Sequence, residues 1–206
     1  MDKLVDGFRA FREGYYKQHE SMLKALATKG QEPRALFIAC SDARMEPAII
    51  FGTAPGDIFM VRNVANLVPP YAPDNDFHGT SAALEFAVLV LKVKQIIVMG
   101  HALCGGMAAL LRDRPVPGLA DDFIGAWMKI AAPARERALA KAQGDMTRAQ
   151  TLVEQEGIKT SLANLLTFPW IKSRVDIGEI ALHGLYFDLA TGTLYRLHYD
   201  GEFRPV

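Results

Sequence analysis

The sequence predicts an α/β fold: a mainly parallel four-stranded sheet flanked by helices, with a C-terminal antiparallel strand and an N-terminal helical arm. Three observations carry this prediction. Short apolar runs at 35–39 (ALFIA), 57–62 (DIFMVR) and 95–99 (QIIVM) are bounded by turn or polar residues. Helical segments fall between them, which implies parallel pairing with right-handed crossovers. Near the end, 179–188 (EIALHGLYFD) and 193–199 (TLYRLHY) flank Ala190-Thr191-Gly192, the pattern of a hairpin that adds one antiparallel strand.

In chain order, Leu4, Val5, Phe8, Phe11, Tyr15, Met22, Leu23 and Leu26 recur at helical spacing. They lie ahead of the first strand, so residues 1–30 read as an arm that packs on a partner subunit. A helix at 46–51 follows the first strand, and a helix at 80–92, opened by a Thr80 or Ser81 cap, follows the second. Gly105 to Leu111 begins another helix after the third strand. A Pro/Gly loop (DRPVPGLA, 113–120) leads to two helices at about 121–142 and 146–166, parted by Gly144. No repeat, low-complexity stretch or linker divides the chain, so residues 1–206 read as a single domain.

Composition narrows the function. Apolar residues make up 50% and charged residues 22%, which is globular. Lys+Arg and Asp+Glu both number 23, so no net charge favours nucleic acid or an anionic membrane. No apolar stretch approaches the roughly 20 residues of a membrane span. The N-terminal MDKLVDGFRAFREGYY lacks a secretory apolar region, and its Asp2, Asp6 and Glu13 argue against a transit peptide. Two cysteines are too few for a disulfide scaffold, which points to the cytoplasm.

Those two cysteines sit in chemistry-bearing contexts. His101 and Cys104 form an H-x-x-C pair where the third strand gives way to a helix, whose N-terminus favours the Cys104 thiolate. Cys40 ends the first strand. If these strands are neighbours, Cys40, His101 and Cys104 converge beyond their carboxyl ends, where open parallel sheets bind ligands. Two thiolates and an imidazole suit zinc and leave a fourth position for water, as in catalytic zinc sites. The competing readings are two small buried apolar residues, a disulfide, or a redox pair, although redox pairs are more often C-x-x-C. In a strand-like continuation, Asp42 and Arg44 share one side with Cys40. They form either a structural ion pair or an aspartate held charged and oriented for a task.

C-S-D-A-R (40–44) with the distant H-A-L-C-G-G (101–106) resembles the β-class carbonic anhydrases, whose pattern is C-x-D-x-R with H-x-x-C. The likeness extends through VRNVANLVPPY (61–71), GTSAALEFAV (79–88), DFIGAWMKIAAPA (122–134), LANLLTFPW (162–170) and ALHGLYFDLATG (181–192), and looks nearest to the plant-type branch with its bacterial members. The resemblance implies one zinc per subunit on Cys40, His101 and Cys104, with water or, in a closed resting form, Asp42 in the fourth position. It implies a catalytic Asp42–Arg44 dyad, a substrate hydrogen bond from Gln31, and a pocket wall of Phe59, Val64, Phe86 and Gly105. It also implies a homodimer or dimer-based oligomer with the pocket at the subunit interface. Two departures stand out: Ala43 replaces a usual serine, and Phe86 stands where plant enzymes often have tyrosine.

The implied reaction is the reversible hydration of carbon dioxide to bicarbonate and a proton. Alternatives are a carbonyl sulfide or carbon disulfide hydrolase on the same scaffold, a zinc-bearing scaffold or sensor without turnover, and a thiol redox protein. His78, in DNDFHGT, reads as a surface histidine before a proton shuttle, and His19, His183 and His198 as packing or surface residues.

Overall fold

The computed structural model describes residues 1–74, 76–112 and 123–206. The expected 113–120 loop and the first two residues of the expected 121–142 helix lie outside them.

The arm consists of α1 (Asp2–Phe11), a π-helical turn at Arg12–Tyr16, and α2 (Glu20–Lys29), which ends at Gly30 with φ +85°. None of these three segments buries a residue, and Leu4, Phe8 and Phe11 are exposed. β1 (Ala35–Cys40) is buried at every position, as expected for a parallel strand covered on both faces. A single turn, α3 (Pro47–Ile50), begins with proline at the position where a missing N–H costs nothing. Next come β2 (Ile58–Asn63) and α4 (Gly79–Glu85), which continues as a π turn through Val90. The expected Thr80 or Ser81 cap is not formed. The helix starts earlier, after His78, which leaves Thr80 in the first turn, where its hydroxyl accepts from Asn63 Nδ2 at 3.2 Å.

β3 (Gln95–His101) runs two residues beyond the expected strand, and α5 (Gly105–Arg112) follows. The helix expected over 121–142 is broken into α6 (Ile124–Met128), a 3-10 turn at Lys129–Ala131 and α7 (Ala132–Ala142). Pro133 opens α7, and its missing N–H prevents one continuous helix. α8 (Met146–Leu165) is capped by Asp145, whose carboxylate accepts from the backbone N–H of Thr147 and Arg148. α9 (Pro169–Asp176), not expected from periodicity, leads into β4 (Ala181–Asp188), β5 (Thr193–Leu197) and a three-residue β6 (Phe203–Pro205).

The sheet order is β2-β1-β3-β4-β5-β6. β2, β1, β3 and β4 pair in parallel, and β5 and β6 add antiparallel strands, one more than expected. The chain leaves β1 for β2 on one side and returns to β3 on the other. The order therefore reverses between β1 and β3, which places a crevice at their carboxyl ends.

The alternation of β1 feeds two apolar layers. Ala35, Phe37 and Ala39 join Ile97 and Met99 under α5 and the helical pair α7–α8, while Leu36 and Ile38 join Ile96 and Val98 under α4 and α9. Ala134, Ala138 and Ala142 are buried along one stripe of α7 and let it approach α8 closely. α8 can lie directly on β3 and β4 because Gly100 and Gly184 have no side chains. A Cβ at Gly184 would meet Ile158 Cγ2 at 3.0 Å and Leu162 Cδ1 and Leu197 Cβ at 3.1 Å. Gly184→Val is therefore expected to destabilise the chain by about 1–3 kcal/mol through overpacking, read as a lower denaturation midpoint. An unchanged midpoint would mean that α8 has room to retreat.

Candidate metal centre

The reversal point holds three buried donors. Cys40 is the last residue of β1 and His101 the last of β3. Cys104 immediately precedes α5, and its carbonyl accepts the Ala108 N–H at 2.9 Å. The H-x-x-C pair thus spans a strand end and a helix cap. The intervening turn passes through Leu103 in the left-handed region, φ +57°.

The donor atoms of Cys40, His101 and Cys104 all lie within 4.8 Å of one another, and the two sulfurs are 4.0 Å apart. Sulfurs bound tetrahedrally at 2.3 Å would sit about 3.8 Å apart, so the spacing fits one small ion. His101 supplies the clearest sign. Its Nδ1 lies 2.8 Å from the Ala102 carbonyl, which can only accept, so Nδ1 carries the proton. Nε2 then presents a lone pair. It is buried and has no hydrogen-bond partner among the described residues. An orphaned buried polar atom costs about 1–3 kcal/mol, and a cation between it and the sulfurs would remove that cost.

The sulfurs compete for one proton. The two sulfurs share a hydrogen bond in which either thiol can donate, and that bond, with the backbone N–H groups of Asp42 and Ala65, lowers the Cys40 thiol below its usual range. The same bond pushes Cys104 up and outweighs the N–H groups of Gly106 and Met107 at the start of α5. Only one of two touching sulfurs readily carries the charge, so the pair titrates as a unit. A divalent ion would replace the shared proton.

Beside the donors, Asp42 and Arg44 make a forked pair. Arg44 Nε donates to Asp42 Oδ1 at 2.9 Å and Nη2 to Oδ2 at 2.7 Å, and the Arg44 backbone N–H reaches Oδ1 at 3.0 Å. These bonds hold the Asp42 carboxyl well below the usual carboxylate range despite some burial. Asp42 Oδ2 lies 3.8 Å from His101 Nε2. The strand-like continuation expected for residues 40–44 does not occur. The chain turns, with the Met45 N–H on the Asp42 carbonyl, and the turn itself brings Asp42 and Arg44 together. Among the described residues, all three hydrogen bonds to the Asp42 carboxylate come from Arg44, so the pair forms with Ala43 in place of a hydroxyl residue.

Arg62, which drew no attention in the sequence, secures this turn. It donates to the carbonyls of Cys40 (3.0 Å), Asp42 (2.8 Å) and Met45 (2.6 Å) and to Glu46 (2.7 Å). Its one visible signal was an arginine directly after the apolar run Ile58–Val61. Asn63 closes the next turn, its amide bonded to the backbone of Leu67 on both sides, while Ala65 and Asn66 take φ +64° and +50°.

The expected pocket residues divide into two sets. Val64 and Gly105 lie beside the centre, at the end of β2 and the start of α5. Phe59 and Phe86 pack as a tilted ring pair with centroids 5.9 Å apart, but Phe59 pairs with Leu36, about 13 Å along β1 from Cys40. Gln31 is exposed in the loop entering β1, at the strand end opposite Cys40. A separate open cleft of about 800 Å³ meets the centre's edge at Val64 and is walled by Phe77, His78, Trp127 and Ile130. His78 is paired there with Asp74 at 2.6 Å.

Residues 35–194 match the family model described as carbonic anhydrase. Over 208 residues the chain is 38% identical to a carbonic anhydrase of Synechocystis sp., covering 98% of this chain and 72% of that protein. It is 36% identical to beta carbonic anhydrase 3 of Arabidopsis thaliana, covering all of this chain and 80% of the relative. Among solved structures, the beta-carbonic anhydrase CcaA matches with a TM-score of 0.91 at 34% identity, over 100% of this chain and 99% of the other. A structure from work on two tetrameric beta-carbonic anhydrases of the ascomycete Sordaria macrospora matches with a TM-score of 0.80 at 30% identity, over 95% of each chain. With the Cys–His–Cys cluster at the reversal point and the arginine-clamped aspartate beside it, the chain belongs to the β-class of the carbonic anhydrase family.

Proposed function

We propose that this chain catalyses the reversible hydration of carbon dioxide to bicarbonate and a proton, using a zinc ion held by Cys40, His101 and Cys104. The observation that carries this reading is the unpartnered Nε2 of His101, aimed at two sulfurs and flanked by a charged aspartate. Two soft sulfurs and one imidazole favour zinc over hard, oxygen-seeking cations. When bound, zinc supplies Lewis acidity that makes water a nucleophile near neutral pH.

The chain's own residues do the rest. Asp42 accepts the hydrogen of the attacking oxygen and so turns a lone pair towards the carbon. Arg44 keeps Asp42 ionised and fixed in both plane and direction through its two parallel bonds. Arg62 holds the Asp42 carbonyl and thereby the turn. The backbone N–H of Gly105, at the start of α5, would steady the developing oxyanion. Two thiolates would cancel the charge of such an ion and leave it a weaker acid than one held by three imidazoles, so activity is expected to rise towards alkaline pH.

The wall is completed by a second copy of the chain. Gln31, Phe59 and Phe86 lie away from their own centre, and a partner would bring its set over that centre, with Gln31 donating to substrate and the phenylalanines admitting an apolar gas. The exposed apolar face of α1 (Leu4, Val5, Phe8) packs on that partner as the arm of a single domain, residues 1–206. The relatives from Sordaria macrospora, described as tetrameric, support a dimer-based oligomer. No helix among the described residues is long and apolar enough to cross a membrane. We place the chain in the cytoplasm, where reducing conditions keep both sulfurs free for metal.

Carbonyl sulfide and carbon disulfide are the rival substrates, because their carbon is attacked by the same nucleophile. Rates measured on all three, from pH 6 to pH 9, separate them. Carbon dioxide hydration well above the buffer blank and rising with pH is expected. Turnover of only the sulfur substrates would refute the proposal.

A further inference from the structure

Behind the centre, a carboxylate lies where apolar packing is the norm. Glu154, midway along α8, is 2% exposed. Burying a carboxylate is costly unless its oxygens are bonded, and here they are. Oε1 accepts the backbone N–H of Cys104 at 2.9 Å and the side-chain amide of Gln150; Oε2 accepts the Tyr186 hydroxyl at 2.9 Å. Gln150 also reaches the Cys104 carbonyl at 3.4 Å.

The bond to Cys104 matters because of the peptide it holds. The N–H of Cys104 and the carbonyl of Leu103 belong to one planar unit. That carbonyl accepts Arg44 Nη2 at 2.9 Å. The unit is therefore gripped from both sides, by Glu154 from the core and by the dyad's arginine from the substrate side. It follows Leu103 in the left-handed region, which costs a non-glycine residue about 1–3 kcal/mol and persists only where surroundings enforce it. Rotation of this peptide would swing the Cys104 sulfur away from Cys40 and His101 and shift Arg44 beneath Asp42.

We propose that Glu154 is a positioning residue for the reaction: by fixing the Leu103–Cys104 peptide it aims the Cys104 sulfur at the metal and, through the same peptide, sets Arg44 against Asp42. The inference rests on the metal reading above. Metal analysis of the unmodified chain tests that reading separately; a chain that binds no metal would remove the ground for both.

The test compares Glu154→Met, which fills the space but accepts nothing, with Glu154→Gln, which keeps an acceptor for the Cys104 N–H. The readouts are the rate of zinc loss to a chelator, the thiolate-to-cobalt absorption bands of the cobalt(II)-substituted protein, and the melting temperature. Glu154→Met is expected to lose zinc about 10–100-fold faster, in line with other partners that orient metal ligands, and to shift the cobalt bands. Glu154→Gln is expected to restore most of both. A folded Glu154→Met chain with the original loss rate and cobalt bands overturns the proposal. So does Glu154→Gln behaving like Glu154→Met, because the hydrogen bond would then not be the agent. If Glu154→Met does not fold, Tyr186→Phe decides. Freeing one oxygen of Glu154 should speed zinc loss by a smaller factor and move the cobalt bands, and no change in either overturns the proposal.

Discussion

Cys40→Ser and Cys104→Ser chains are expected to fold, to retain almost no zinc after dialysis, and to hydrate carbon dioxide no faster than buffer. Partners that merely orient metal ligands carry about 10–100-fold in metal affinity, and a ligand itself carries more. A serine hydroxyl replaces a soft thiolate with a neutral oxygen that does not ionise near neutral pH. It leaves one sulfur and one imidazole, too few to define a tetrahedral site. Both cysteines are small buried residues, so the exchange alters little packing and the loss should appear in metal content before stability. Metal analysis on dialysed protein, with circular dichroism on the same sample, checks this. Full zinc retention in either variant would mean that the 4.0 Å sulfur pair is a packing contact and not a ligand pair.

Asp42→Asn should separate binding from turnover. The variant is expected to keep one zinc per chain and to lose about a hundredfold or more in kcat, the scale of a positioned proton-handling group. Asparagine removes the charge that Arg44 faces, and in either orientation its amide sets a donor where a carboxylate oxygen accepted. The ligand set is untouched, because Asp42 Oδ2 stands 3.8 Å from His101 Nε2 and both its oxygens are engaged by Arg44. Because Arg44 holds Asp42 ionised far below neutral pH, the alkaline rise expected of the unmodified chain would belong to the centre and not to Asp42. Asp42→Asn should therefore lower the profile without removing the rise. Normal turnover by this variant would reduce the dyad to an ion pair.

Much of this molecule was legible in its sequence. Apolar runs of about strand length bounded by turns located β1, β2 and β3. The two motifs named the three donors, because a strand end and a strand-to-helix junction converge wherever such strands are neighbours. What escaped notice depended on contacts between distant segments. Arg62 looks like an ordinary strand arginine until the Cys40–Met45 turn folds over it. Glu154 reads as one more polar residue on a mixed helix, and only the seating of α8 over β3 and β4 places it behind Cys104. The dyad was anticipated from alternation along a strand, whereas a turn makes it, since residues two apart meet as well in an Asx turn as on one strand face. The helix start was visible, but the touching of the sulfurs was not. β6 is too short, at three residues, to announce itself by pattern.

The central claim is that Cys40, His101 and Cys104 hold the ion on which catalysis depends. It is tested most directly by stripping the purified chain of metal, adding zinc back in steps, and measuring bound zinc and carbon dioxide hydration on each sample. Negligible hydration at zero zinc and a linear rise that stops at one zinc per chain are expected. Full activity in metal-free protein, or one tightly bound zinc per chain without hydration, would contradict it.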